Sequence, residues 1–256
     1  MGALFLFLLI TSVSSAGVAL AQTGVLEVVE EAARASRAYA ASDFDTAIAL
    51  YEGLLADGVT DASIYFNLAT SYQQAGQSGL ALLNYRRAQQ RIPRDATLSV
   101  RIAEIQGQRQ NVQAEETVII DRLGTIVSPV MTTAELAGLS FIVWLVWFGL
   151  ATASTLRPNM RVALRPVLIV GGVVTLALVV LLGSRLYVNI YRPSAVVVAE
   201  RVSVLSCPDE RYLELYTLSA AAELRVVAQQ ESYLRIVLPD GRQGWLLQQG
   251  IAFVDG

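Results

Sequence analysis

Few side chains in this chain can do chemistry. Carboxylates cluster at Glu27, Glu30 and Glu31 and again at Glu115 and Glu116. Paired carboxylates perform acid–base work only where a pocket drives their pKa values apart. These pairs fall on helix faces or linkers that the pattern places in solvent. Cys207 is the single cysteine. With no histidine to take its proton, it reads as a structural thiol rather than a nucleophile. The chain has no histidine, and all 19 of its basic residues are arginine. These absences exclude a histidine-dependent triad, a histidine-ligated metal, a lysine Schiff base and a P-loop lysine. One cysteine excludes an intrachain disulfide and any multi-cysteine zinc site. No catalytic constellation, no cofactor and no metal is expected, and the chain reads as a non-enzyme. A net charge of −3 leaves no basic face for a nucleic-acid partner. What remains is the chemistry of binding surfaces.

The elements that must carry those surfaces are unusually apolar. Of 256 residues, 54% are hydrophobic and 16% charged, which fits a multidomain membrane protein with small attached domains. Two apolar runs, 134–155 and 167–187, flank a loop, 156–166, that carries Arg157, Arg161 and Arg165 and no acid. Each run is about twenty residues, enough to cross a hydrocarbon core of about 30 Å as a helix. Backbone amides in lipid must pair internally, so both runs are expected to be helical and to form a transmembrane hairpin. Trp144 and Trp147 sit mid-run, which points to helix packing rather than interfacial anchoring. Gly149 and Ala153, Ala151 and Thr155, and the pair Gly171 and Gly172 present small surfaces where a second helix can approach. The loop arginines favour the cytoplasm, although Arg122, Arg185 and Arg192 flank the other side. Residues 1–21 have an apolar core, Leu4 to Ile10, then small residues ending in Ala19-Leu20-Ala21. That is the form of a signal peptide cleaved after Ala21, with an uncleaved anchor as the alternative. The segments on either side of the hairpin are then expected outside the membrane, with the loop inside.

Residues 25–108 contain a repeat. Tyr65-x2-Leu68-Ala69-x2-Tyr72, then Ala81-x3-Tyr85, then Pro93 follows the tetratricopeptide pattern, with Tyr for Trp and Ala for Gly. Ala47-x3-Tyr51 is the same half-motif 34 residues earlier. Small residues at Ala69 and Ala81 let two helices cross closely, while Tyr72 and Tyr85 fill the space between layers. Gly76 suits the left-handed residue that ends a helix, a place that Ser42 takes in the first copy. Pro93 disfavours helical geometry at Ile92. A capping helix follows from Asp95 to Gln108, with Leu98, Ile102 and Ile105 at helical spacing. Two units and a cap are near the lower limit for such stacks, so the domain is expected to lean on a partner or on the membrane surface. By position in the pattern, Tyr39, Ser63, Phe66, Asn67, Thr70, Gln73 and Gln74 line a groove for extended peptides. Asn67 would bond a peptide backbone and Phe66 would supply an apolar pocket; simple exposure is the competing reading. Residues 113–130 are expected to form a juxtamembrane amphipathic helix, with Ile119, Ile120, Leu123, Ile126, Val127 and Val130 at helical intervals. It either lies at the headgroups or packs on the repeats.

Residues 193–256 change to short alternating runs: Ala195–Val204, Glu223–Ala228, Tyr233–Leu238, Gly244–Leu247 and Ile251–Val254. Five antiparallel strands in a small barrel are expected, with Asp240-Gly241 as a hairpin turn. Val202-Ser203-Val204-Leu205-Ser206-Cys207-Pro208 and the stretch from Leu234 through Leu238-Pro239-Asp240-Gly241-Arg242-Gln243-Gly244-Trp245 to Leu246 resemble the bacterial SH3-like family. Leu205 and Cys207 stand where that family has Arg and Gly. Tyr212, Tyr216 and Tyr233, with Trp245, can line a surface groove; core packing is the favoured role for Trp245.

Signal peptide, tetratricopeptide repeats, transmembrane hairpin and C-terminal SH3-like domain, in that order, resemble the BatE-like membrane proteins of the bacterial aerotolerance (Bat) group. The resemblance implies a bacterial cytoplasmic (inner) membrane protein with both soluble domains extracytoplasmic. It implies envelope partners, namely von Willebrand A-type membrane proteins and indirectly a MoxR-type ATPase, in assembly or stress protection. The expected function is a non-enzymatic scaffold. The alternative is a peptidoglycan-binding protein acting through the SH3-like domain.

Overall fold

A computed structural model describes residues 25–108, 132–157, 161–191, 193–209 and 213–254. The expected signal peptide, the juxtamembrane segment 113–130 and Tyr212 lie outside the described residues. Among those described are seven helices and one seven-stranded antiparallel sheet.

The first unit is all helical: α1 (25–40), α2 (Phe44–Ala56), α3 (Ala62–Gln74), α4 (Ser78–Arg91) and α5 (Ala96–Gln108). Its internal equivalences run at 34 residues. Ala35 and Ala69 are fully buried, as are Ala47 and Ala81, where neighbouring helices cross. Tyr51 shares a hydrogen bond of 2.9 Å with Ser36, and Tyr85 one of 3.1 Å with Thr70, which is the same pair one repeat on. The turns match too. At Ser42 and at Gly76 the residue is left-handed, with φ 60° and 77°. In both, the next amide bonds back to a carbonyl in the last helical turn, Asp43 N–H to Ala38 and Gln77 N–H to Tyr72. Gly58, after α2, closes in the same way through Val59 N–H and Leu54. Ser42 holds at some cost a conformation that glycine adopts freely. Helix α4 stops at Arg91, and Ile92 turns out of helical geometry before Pro93.

Among the described residues, two helices are long and apolar enough to cross a membrane: α6 (Thr133–Leu156) and α7 (Arg161–Tyr191). The 24 residues of α6 span about 36 Å at about 1.5 Å per residue. A capping box starts it, with Thr132 Oγ1 accepting from Glu135 N–H and Glu135 accepting from Thr132 N–H. Helix α7 begins six residues before the expected start at 167, so Arg161 and Arg165 belong to the helix rather than to a loop 156–166. Pro166, the last residue of the expected loop, lies inside α7: it removes one amide donor near the helix start, and the remaining ladder continues through it.

Trp147 joins the two helices. Its indole N–H donates to the Leu168 carbonyl at 2.8 Å, and its ring lies over Gly171 and Gly172. Trp144 does not pack between them: it is 42% exposed and stacks between Phe141 and Phe148 on an outer face. A Cβ at Gly171 would stand 2.8 Å from Trp147 Cδ1, whereas at Gly172 the nearest ring atom is 3.5 Å away. Gly171→Ala is therefore expected to destabilise the hairpin by about 1–3 kcal/mol through overpacking, and Gly172→Ala to stay near neutral. Equilibrium unfolding of the full chain in mixed micelles reads the difference. Equal effects would show that the Trp147 ring does not set it.

The sheet contains β1 (Ser194–Val197), β2 (Arg201–Leu205), β3 (Glu214–Ser219), β4 (Glu223–Gln230), β5 (Tyr233–Val237), β6 (Gln243–Leu247) and β7 (Ile251–Phe253). Strand order is β3-β2-β6-β5-β4-β1-β7. Seven strands replace the expected five. The run 195–204 breaks at Val198–Glu200 into β1 and β2, and β3 was not anticipated. Its alternation is hidden because Leu213 and Leu215 are exposed while Leu218 is buried, so apolar residues occupy both faces. Elsewhere the period of two decides the faces: Val202, Val204, Leu234, Ile236 and Leu246 point into one core, and Arg201, Ser203 and Arg235 point out. Leu238 and Arg242 close the β5–β6 turn, with Gly241 at φ 84°.

Candidate binding surfaces

Helix α3 starts at Asp61, whose carboxylate accepts from Ser63 N–H at 2.8 Å and from Ser63 Oγ at 2.6 Å. These bonds hold Asp61 below the usual carboxylate range, the Ser63 hydroxyl contributing most. Ser63 is thus committed to capping rather than offered to a ligand. Phe66, Thr70 and Gln73 do gather, around Tyr85 of α4. The Phe66 ring meets the Tyr85 ring edge-on at 5.6 Å. The Thr70 hydroxyl donates to the Phe66 carbonyl at 2.9 Å, which leaves the single Tyr85 hydroxyl proton shared between Thr70 Oγ1 at 3.1 Å and Gln73 Oε1 at 2.9 Å. Burial pushes the Tyr85 phenol up. Asn67 is half-buried on the same stripe, and its side-chain amide makes no hydrogen bond among the described residues. Gln74 is exposed, and Tyr39 packs on Phe44 at 5.6 Å. The sequence reading assigned Tyr85 to packing alone and missed its hydroxyl as the link between Thr70 and Gln73. The 34-residue match of Ser36–Tyr51 with Thr70–Tyr85 was the available signal.

A second polar contact lies between α2 and α3, where the Tyr72 hydroxyl donates to the Glu52 carboxylate. Burial first, then this bond and the carboxylate's charge, hold Tyr72 protonated well above its ordinary value of 10.0. A phenol raised in the folded state stabilises the fold fully below that ordinary value and loses its contribution as pH climbs above it. The helical unit is accordingly expected to weaken on the alkaline side of pH 10, and Tyr72→Phe to flatten that part of the profile. Chemical denaturation of the full chain at a series of alkaline pH values measures it. A profile indifferent to Tyr72→Phe would refute the assignment.

On the sheet, Tyr233 and Trp245 share the outer face: Tyr233 pairs with Leu247, and Arg235 with Trp245. Trp245 is half-buried and outside the core cluster, contrary to the expectation that it packs inside, because Gly244 and Leu246 take the inward positions of β6. Tyr216 corrects the expected tyrosine groove in the other direction. It pairs with inward-facing Val204 and packs against the core. Arg242 lies over its ring at 4.6 Å, and the Arg242 guanidinium reaches Asp240 at 2.6 Å. Burial raises the Tyr216 phenol, a shift that the Arg242 charge opposes. Burial also raises Asp240, but its hydrogen bonds and charge pairing with Arg242 outweigh that and leave it low. Among the described residues no group of three or more His, Cys, Asp or Glu side chains is placed to hold a metal.

No protein family, curated protein or solved structure matches the chain.

Proposed function

We propose that the chain is a membrane-anchored, non-enzymatic scaffold that holds partner proteins outside the membrane through tetratricopeptide-type helical repeats. The observation that carries this reading is the α3 stripe. Phe66, Thr70 and Gln73 are pre-positioned around Tyr85, beside a half-buried Asn67 whose side-chain amide makes no hydrogen bond among the described residues. A side-chain amide carries a donor and an acceptor, as a peptide backbone requires. Ordering of the flanking groups lowers the entropy a partner must overcome. The two long apolar helices supply the anchor, and the Bat-type order of segments suggests envelope proteins as partners, von Willebrand A-type membrane proteins among them. In-cell crosslinking and detergent purification test it. Phe66→Ala with Asn67→Ala is expected to lower partner capture at least tenfold, by analogy with interface hot spots of about 2 kcal/mol, while the helical content stays unchanged. Undiminished capture would rule out the stripe.

A second reading follows from the sheet. Tyr233 and Trp245, both half-buried on its outer face, form an aromatic platform suited to a sugar ring. In it, an SH3-like C-terminal domain grips peptidoglycan. Co-sedimentation of the full chain with purified cell wall, lost in Trp245→Ala, would favour it; a chain left in the supernatant would remove it.

A further inference from the structure

An open groove of about 560 Å³ runs along one side of the hairpin formed by α6 and α7. Val143, Val146 and Leu150 line it from α6, and Pro166, Val167 and Val170 from α7. Trp147 and Gly171 also belong to the lining. Its one polar side-chain group, the Trp147 indole N–H, is already given to the Leu168 carbonyl. Its one small residue, Gly171, is covered by the Trp147 ring. The groove thus offers a second helix neither a small surface for close approach nor a group to bond across. It suits a thin, flexible and wholly apolar occupant, which in a bilayer is an acyl chain.

The position of the groove along the hairpin selects the lipid. Pro166 lies in the second turn of α7 and Leu150 in the last two turns of α6, so the groove is next to the connecting residues 157–160. No acid occurs between Glu135 and Glu200, whereas five arginines do. Arg157, Arg161 and Arg165 are at this end of the hairpin. Arg157, the C-cap of α6, is exposed and stands seven residues beyond Leu150, two turns along the same face. Arg165, also exposed, falls by register on the side of α7 away from Val167 and Val170. Arginines at a membrane surface attract anionic headgroups. We propose that this groove holds one acyl chain of an anionic phospholipid, whose phosphate meets Arg157. The site rests on the reading of the hairpin as a membrane anchor and is independent of the Phe66–Gln73 stripe.

Bromine on the acyl chain quenches a tryptophan it touches, which gives the test in the full-length chain carried in lipid nanodiscs. Trp144→Phe with Trp245→Phe leaves Trp147 as the only one of the three tryptophans. Brominated phosphatidylglycerol is expected to quench it at a mole fraction about fivefold lower than brominated phosphatidylcholine, the preference that one surface arginine confers. Arg157→Gln is expected to abolish that preference and Arg165→Gln to leave it. Equal quenching by the two lipids would overturn the proposal, as would equal loss in the two arginine variants. So would a Trp147 that neither lipid quenches, since the groove would then be covered by protein. Trp144, made the sole tryptophan by Trp147→Phe with Trp245→Phe, reports the anchor itself, because it is 42% exposed on an outer face. Quenching of Trp144 beside a Trp147 indifferent to the headgroup removes the lipid site alone. A Trp144 that neither lipid quenches removes the anchor reading and the site together.

Discussion

Gly244→Ala is expected to unfold most of the C-terminal sheet. A Cβ there would stand 2.2 Å from Val204 Cγ1 and 3.1 Å from the Leu205 carbonyl. Neither neighbour can give way easily. Val204 is fully buried on β2, and a β-branched side chain is stiff about its first torsion. The Leu205 carbonyl is backbone, at the one register position where β2 pairs with β6. Overpacking typically costs about 1–3 kcal/mol and more where nothing relaxes. A core of this size rarely supplies more than about 3–5 kcal/mol in total. The comparison is Gly241→Ala, where φ is 84° but the space is open, so only the left-handed conformation is penalised, by about 1–2 kcal/mol. Protease resistance of residues 193–254 within the full chain reads both. Full resistance in Gly244→Ala would mean that β2 does not cross β6 this closely.

Tyr85→Ala is the second large effect, with a loss of about 3–5 kcal/mol from the helical unit, as for other large aromatics removed from a core. Tyr85 is fully buried between α3 and α4, so the void cannot open to solvent. Tyr85→Phe separates packing from the hydroxyl. It keeps the ring contact with Phe66 and removes the bonds to Thr70 and Gln73, at a cost of about 0.5–1.5 kcal/mol. Hydrogen exchange of α3 and α4 amides in the full chain ranks the two variants. If the proposed stripe binds partners, Tyr85→Phe also weakens capture beyond its effect on stability, because Thr70 and Gln73 lose their fixed positions. Equal protection in the two variants would show that ring packing contributes nothing that the hydroxyl does not.

The sequence by itself determined whatever depends on composition and short spacing. Two apolar runs of about twenty residues identify the long helices, because length and apolar character are properties of the whole segment. The absence of histidine and lysine removes most chemistries without reference to any fold. The 34-residue offset of Ala47 and Tyr51 from Ala81 and Tyr85 locates the repeat, because each helix pair meets its neighbour through the same positions. Left-handed turns follow locally from Gly76 and from its counterpart Ser42.

Tertiary structure decided what depends on partners distant in the chain. Which face Tyr216 and Trp245 occupy follows from the pairing of β2 with β3 and of β6 with β5, and a one-residue slip reverses it. Strand β3 was hidden because Leu213 and Leu215 are apolar on the exposed side, which blurs the period of two. The start of α7 at Arg161 reflects a ladder that proceeds past Pro166, where the local rule favours a boundary. The burial of Asn84 has no signature at all in the sequence. An asparagine on a helix is ordinarily solvated, and it becomes a buried acceptor only because α2, α3 and α4 close around it.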